Sequence, residues 1–438
     1  MPLFNAYPYL LRQLTLTRAL QLFQLLRLGA VLLASILLAK SGLTLADIGA
    51  YEALLFVGTV AAFFWANGLL QGMPAVFARL PQAERPAFFF QTFLIFGGIA
   101  LLVAGLFWLA QDWLAPALTG LERLPNFGWY CLFLFFNLAT LPVEYLYLLL
   151  DKPGKLTAWA LVSFGGYVLA LMVPVWIGWG LEGGLAGLAG LGALRFVWAL
   201  RLLWRHSRVG WRPDLTRQYL GFSLPLVANL LVGNLVLLFD NWLVGWYFHD
   251  ETVFAVFRYG SREFPLATAL ATALGTALVA PIAADLGAGL ASLKEKTRRL
   301  FHLLFPLTML LVLVSQPLFP VVFSAGFAGS APLFNIYLLL TMSRVLLPNA
   351  VVLALGHPGA ILAVGLAELA LKVVLGFCFV GWWGLEGIAW SAVLAFWVEK
   401  IGLIWFLEKR LGIPTRSWLD LKWYAGYCLA LLLVFLLV

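Results

Sequence analysis

Apolar residues fill this chain in unbroken blocks of roughly twenty, parted by short stretches that hold most of the Lys, Arg, Gly and Pro. A helix needs about 20 apolar residues to cross ~30 Å of hydrocarbon, so each block predicts one crossing. The blocks are continuous rather than alternating, which excludes a membrane β-barrel. The predicted crossings are residues 19–39, 48–70, 87–110, 126–150, 156–179, 182–204, 217–247, 252–287, 298–323, 328–355, 357–380, 384–407 and 421–438. They form two sets of six and one more at the C-terminal end. The basic stretch Arg205–Arg217 divides the sets. The expected fold is an all-α polytopic membrane protein built of two six-helix bundles. The first covers residues 1–208, including an interfacial helix over 1–18 with Arg12 and Arg18 on its polar side. The second covers 209–410, and an extra transmembrane helix covers 411–438.

A repeat supports the two bundles. Lys152-Pro153-Gly154 is followed, one apolar block later, by Gly180-Leu181-Glu182-Gly183. His357-Pro358-Gly359 is followed in the same way by Gly384-Leu385-Glu386-Gly387. The two offsets are 205 and 204 residues, and a Trp precedes each second run (Trp179, Trp383). Two matches at nearly one offset argue for homologous halves. Pro-Gly turns the chain after one helix and the glycine run opens the next. Each pair brackets a single crossing, so the halves are expected to share one orientation.

Composition agrees. The chain is 63% hydrophobic and 11% charged, with a mean hydropathy of +0.96. No soluble domain has that balance. The net charge of +8 calls for no nucleic-acid partner, because the loops account for it. With the N-terminus placed inside, 19 of the 28 basic residues fall in inside loops, and only Lys40 and Arg123 fall outside. That bias sets the orientation. Trp and Tyr crowd the helix ends as an interfacial belt (Trp108, Trp113, Trp176, Trp382). Cys131, Cys378 and Cys428 lie far apart in apolar blocks and form neither a disulfide framework nor a metal spacing. No loop exceeds about twenty residues, so any site must lie between helices.

Seven basic residues remain inside the crossings: Arg27, Arg195, Arg258, Arg262, Arg344, Lys372 and Lys400. A charge at that depth costs several kcal/mol unless it faces a partner or a cavity. Arg27 and Arg344 sit mid-helix, too deep to snorkel; Lys400 is near an end and can. Arg258 and Arg262 are one turn apart on a single predicted helix. Acids among these crossings include Glu52, Glu144, Asp240, Glu263 and Glu368. Local readings stand beside functional ones. Glu368 and Lys372, at i and i+4, form a self-neutralising pair; Asp240 and Arg258 flank one short outer loop and suit an ion pair; Glu263 neutralises its neighbour Arg262. Arginine dominates the set, and its planar fork holds phosphate oxygens two at a time while staying charged. The interior therefore suits an anion, most naturally a phosphate or diphosphate. The chain lacks a Walker A loop and a His/Cys/carboxylate metal spacing, and it has no large outer loop with paired acids for glycosyl transfer. It reads as a transporter, not an enzyme.

Two same-facing six-helix halves with an arginine-lined interior resemble the multidrug/oligosaccharidyl-lipid/polysaccharide (MOP) exporter superfamily, and within it the Wzx-type oligosaccharide flippases. The resemblance covers roughly residues 10–410. It is carried by Leu45-Ala46-Asp47-Ile48-Gly49-Ala50-Tyr51-Glu52, by Asp240, by Phe254–Pro265, and by the Lys152-Pro153-Gly154 and Gly180–Gly183 runs. It implies 12–14 transmembrane helices in the bacterial cytoplasmic membrane. It also implies alternating access that flips an undecaprenyl-diphosphate-linked oligosaccharide to the outer leaflet. Arg27, Arg195, Arg258, Arg262 and Arg344 would hold the substrate. Asp240, Glu52, Glu263, Glu368 and Lys372 would be the candidates for H+ or Na+ coupling. No other cofactor is expected. The expected partners are the lipid-linked glycan, membrane lipids and nearby polysaccharide polymerase machinery, with a monomer as the simplest state. A lipid II flippase or a multidrug exporter of the same fold remains an alternative. The thirteenth helix departs from the basic twelve, and from lipid II flippases, which usually carry two extra.

Overall fold

The computed structural model describes residues 15–438. The interfacial helix expected over 1–18, with Arg12, lies mostly outside the described residues; Arg18 belongs to the first turn of the first crossing. The described residues are helical throughout and contain no strand. The chain divides into two compact units. One runs up to Leu231 with His249–Glu251, and the other comprises Val232–Phe248 and Thr252–Val438.

The first unit contains α1 (Leu16–Ala39), α2 (Leu45–Phe63), α3 (Ala66–Arg79), α4 (Arg85–Leu109), α5 (Gln111–Thr119), α6 (Phe127–Ala139), α7 (Pro142–Leu149), α8 (residues 153–179) and α9 (Gly180–His206). Then comes α10 (Pro213–Phe248), whose last part belongs to the second unit. That unit continues with α11 (Glu251–Gly260), α12 (Pro265–Ala284), α13 (Leu286–Val322), α14 (Ser330–Leu338), α15 (Leu340–Arg344), α16 (Pro348–Ala354), α17 (residues 358–383), α18 (residues 384–410) and α19 (Leu421–Leu436).

By length and composition, nine helices of the described residues are able to cross a membrane. Two of these, Pro153–His206 and Pro358–Arg410, are hairpins that supply two passages each. Counting α10, which is bent between Ala228 and Gly233, the described residues supply twelve passages, with the shorter α19 as a thirteenth. The hairpins fold at the glycine runs singled out in the sequence. Gly180 (φ 62°, ψ −160°) and Gly384 (φ 57°, ψ −131°) occupy a backbone region essentially closed to other residues. Past the first bend the helices nearly touch: a Cβ on Gly187 would lie 2.0 Å from the Ala170 carbonyl oxygen.

The Pro-Gly turns match as well. Lys152 N–H donates to the Tyr147 carbonyl at 3.0 Å, and His357 N–H to that of Val352 at 3.1 Å. The residues before them, Asp151 (φ 51°) and Gly356 (φ 77°), are left-handed. Both are Schellman caps, which satisfy the last carbonyls of a helix.

Four predicted crossings are broken. The crossing predicted over 48–70 is α2 and α3, parted at Phe64-Trp65; that over 252–287 is α11 and α12, parted at residues 261–264; that over 328–355 is α14, α15 and α16, with residues 345–347 open. The crossing over 126–150 likewise parts between α6 and α7. The N1 prolines Pro142, Pro265 and Pro348 each restart a helix. Leu141-Pro142 and Leu347-Pro348 are 206 residues apart, so this break is also repeated. The inside loop expected before residue 298 is helical: α13 has 37 residues, roughly 55 Å, and carries Lys294, Lys296, Arg298 and Arg299 beyond an apolar core.

In the first unit α4, α6 and α9 pack together, and α1 lies on α8. In the second, α12 packs on α13 and α16, and α19 packs on α13. There Tyr427 stacks on Phe305 at 5.2 Å, and Tyr424 OH donates to the Met342 carbonyl at 3.0 Å.

Candidate functional site

The helix breaks of the second unit gather its charges. Glu263 lies in the break between α11 and α12, two residues before Pro265, where the amide dipoles of α12 favour a carboxylate. Arg344 ends α15 just before the second break. Its Nε and Nη2 donate to the two Glu263 carboxylate oxygens at 2.9 and 2.6 Å. Thr268 Oγ1 donates to the same carboxylate at 3.3 Å.

A second ion pair lies beside the first. Lys372 Nζ, on α17, sits 3.0 Å from Asp240 Oδ2, on α10, and donates to the Val236 carbonyl at 2.6 Å. Tyr337 OH, on α14, donates to the same Asp240 oxygen at 2.9 Å. The Lys372 side chain is 1% exposed and that of Asp240 8%. One ring joins the two pairs. The Arg344 guanidinium carbon lies 4.0 Å from the Phe396 centroid, and Lys372 Nζ lies 5.8 Å from it. Glu368 is buried within electrostatic reach of Lys372, Lys400 and Arg344, and its Oε1 accepts no hydrogen bond among the described residues.

A third group completes the set. Lys400 Nζ pairs with Glu399 at 2.9 Å, and Asn349 Nδ2 donates to Glu399 at 2.9 Å. Arg344, Asn349 and Lys400 line a cavity of about 300 Å³, together with residues of α12 and α16.

Several local expectations fail here. Lys372 does not pair with Glu368 but with Asp240. Asp240 does not pair with Arg258, whose Nη1 donates to Asn241 Oδ1 at 3.2 Å. Glu263 forks with Arg344 rather than pairing with its neighbour Arg262. Arg262 lies in the break, not one turn along a continuous helix from Arg258, and its guanidinium sits 4.7 Å from the Tyr259 ring centroid. Lys400 does not snorkel; it is buried. For Lys372, Asp240 and Glu263 a partner on another helix outcompetes the sequence neighbour, because burial demands the best-placed counter-charge.

In the first unit, Arg195 on α9 donates to Asn137 Oδ1 at 3.0 Å and lies 5.0 Å from the Trp159 ring centroid. Arg27 on α1 is exposed. Both are close enough to act electrostatically on Glu144 of α7. Glu52 is buried on α2 beside Tyr51, whose hydroxyl hydrogen-bonds that of Tyr167. Thus Asp240, Glu263, Arg344, Glu368 and Lys372 come together in one cluster, while Arg27 and Arg195 meet around Glu144. Tyr337, Asn349 and Phe396 were missed because nothing marks them in sequence; Glu399, an acid inside the crossing predicted over 384–407, carried the same signal as the other buried charges. The repeated Leu-Pro at 141 and 347 was the available signal for the breaks.

A family model described as "Polysaccharide biosynthesis protein" matches residues 43–332, about two thirds of the chain. The chain belongs to this family. Among solved structures, a polysaccharide biosynthesis protein of this sequence is similar to "Lipid II flippase MurJ, inward closed conformation", with a TM-score of 0.72 and 15% identity over 96% of this chain and 92% of that one. It is also similar to an inward-facing multidrug resistance MATE family transporter of the MOP superfamily (TM-score 0.61, 15% identity, 87% and 96% covered). A mutant of the Vibrio cholerae MATE transporter VcmN aligns at 0.54, with 14% identity over 90% and 97%. At such identities the likeness establishes the fold alone. No curated protein matches. This member of the polysaccharide biosynthesis family is a multi-pass membrane protein of the MOP fold.

Proposed function

We propose that the protein flips an undecaprenyl-diphosphate-linked oligosaccharide from the cytoplasmic to the outer leaflet of a bacterial cytoplasmic membrane, without covalent change to it. The observation that carries this reading is the Arg344–Glu263 fork inside a membrane bundle. A guanidinium held by two carboxylate oxygens presents the geometry that two phosphate oxygens also fit. The family match supplies the polysaccharide context. In this reading Arg27 and Arg195 in the first unit, and Arg258, Arg262 and Arg344 in the second, hold the diphosphate and sugars. Glu52, Glu263, Glu368 and Asp240 with Lys372 serve coupling to an H+ or Na+ gradient. The positive-inside bias of the loops supports an N-terminus on the cytoplasmic side.

The test is reconstitution in liposomes with a fluorescent undecaprenyl-diphosphate oligosaccharide, following its exposure at the far leaflet with and without an ion gradient. Loss of exposure in Arg344→Ala and Arg195→Ala, with normal insertion, supports the assignment. Movement of cationic dyes in place of any glycan lipid overturns it.

A further inference from the structure

The second unit contains a cavity with a chemistry of its own. Its wall carries Thr268, Thr272 and Thr276, spaced four apart so that they share one face of α12, and opposite them Arg344, Asn349 and Lys400. The acids that balance the two cations, Glu263 and Glu399, do not line it. The wall therefore shows positive charge and the carboxylates stand behind it.

Two details point to a ligand. A membrane-helix threonine ordinarily returns its hydroxyl to the carbonyl one turn back, as Thr308 does to Leu304 at 2.7 Å. The Thr272 and Thr276 hydroxyls make no hydrogen bond among the described residues, and both side chains are exposed. In addition, Glu263 uses only Nε and Nη2 of Arg344, which leaves Nη1 to donate to a cavity ligand. A volume of about 300 Å³ stands at the lower bound for small-molecule sites, room for one headgroup and not for an oligosaccharide.

We infer that this cavity binds the phosphorylated, hydroxyl-bearing headgroup of a lipid. Arg344 and Lys400 take the phosphate oxygens; Asn349, Thr272 and Thr276 take hydroxyls. Two lipids supply that chemistry, the glycosylated polyprenyl diphosphate and the phosphatidylglycerol of the surrounding bilayer. Only the first choice rests on the flippase reading; the phosphate chemistry does not.

The test uses the full chain in nanodiscs and native mass spectrometry. The probes are a short-chain polyprenyl-diphosphate disaccharide, phosphatidylglycerol, and a neutral polyprenyl glycoside as control. Gly275 lines the same cavity, and a Cβ there meets only Leu347 at 3.7 Å, so Gly275→Leu fills the space without displacing backbone. Thr272→Val/Thr276→Val keeps the volume and removes both hydroxyls. We expect affinity for a phosphate-bearing probe to fall at least tenfold in Gly275→Leu and about threefold or more in the double variant, with the neutral glycoside unaffected. The probe that loses affinity identifies the lipid. Unchanged binding of both phosphate probes in both variants overturns the inference, as does a wild type that binds neither. If Gly275→Leu still flips glycan lipid and binds both phosphate probes normally, the cavity assignment falls and the flippase reading stands. If no glycan lipid is flipped while phosphatidylglycerol binding is lost in Gly275→Leu, the cavity stands and the flippase reading falls.

Discussion

The two units share their backbone devices and differ in their charges. Both have the Schellman cap before a Pro-Gly turn, the break restarted by Leu-Pro, and the hairpin bent at a glycine with positive φ. Their polar interiors do not match. The first unit sets two arginines around one carboxylate, Glu144, with Arg195 tied to an amide and a ring. The second joins Asp240–Lys372 and Glu263–Arg344 through Phe396, with the Glu399–Lys400 pair beside them. Turns and bends are fixed by backbone sterics, which only a few residue types satisfy. Charge clusters are fixed by pairing across helices, which many combinations satisfy, so the halves diverge there first.

The largest effect expected is at Lys372. Lys372→Met strands the Asp240 carboxylate in a dry site and should cost about 3–5 kcal/mol. Asp240→Asn/Lys372→Met should recover most of that in thermal unfolding of the detergent-solubilised protein. A single variant as stable as the double breaks the account of an interlocked second unit.

Next are the arginines. Arg344→Lys keeps the charge and loses the fork, so flipping should fall about tenfold or more. Arg195→Lys, which gives up a single bond to Asn137, should fall by less. Equal losses would mean that the fork has no special part.

Gly180→Ala and Gly384→Ala should each cost about 1–3 kcal/mol, and by similar amounts, since the two glycines hold similar backbone angles. Unequal costs, read from paired melting curves, would limit the repeat to sequence.

The smallest effect expected is Gly356→Asp. The matching cap in the first unit already holds Asp151 at φ 51°, so the change should cost only about 1 kcal/mol. Gly356→Val, branched at Cβ, should cost more.

Much of the fold was legible because hydrocarbon thickness imposes a length on every apolar block and the Pro-Gly and Gly-Leu-Glu-Gly runs mark its turns. The breaks were harder. Arg258-Tyr259-Gly260-Ser261-Arg262-Glu263-Phe264-Pro265 reads as a helix with a charged face unless Pro265 is taken as a restart. The charges were legible one at a time, as residues too deep to be idle. Their pairing was not. Glu263 and Arg344 are 81 residues apart, and spacing rules reach only one helical turn. Glu368 and Lys372 met that rule, yet the better partner for Lys372 stood on α10.

The buried Lys372–Asp240 pair also bears on how the protein is made. On insertion scales, a lone lysine at a helix centre resists entry into the bilayer by ~2.5–3.5 kcal/mol. Asp240 and Tyr337 precede Lys372 in the chain, so both leave the ribosome first. The ammonium then finds its counter-charge already in the membrane, and α17 becomes the segment whose insertion depends on helices made before it.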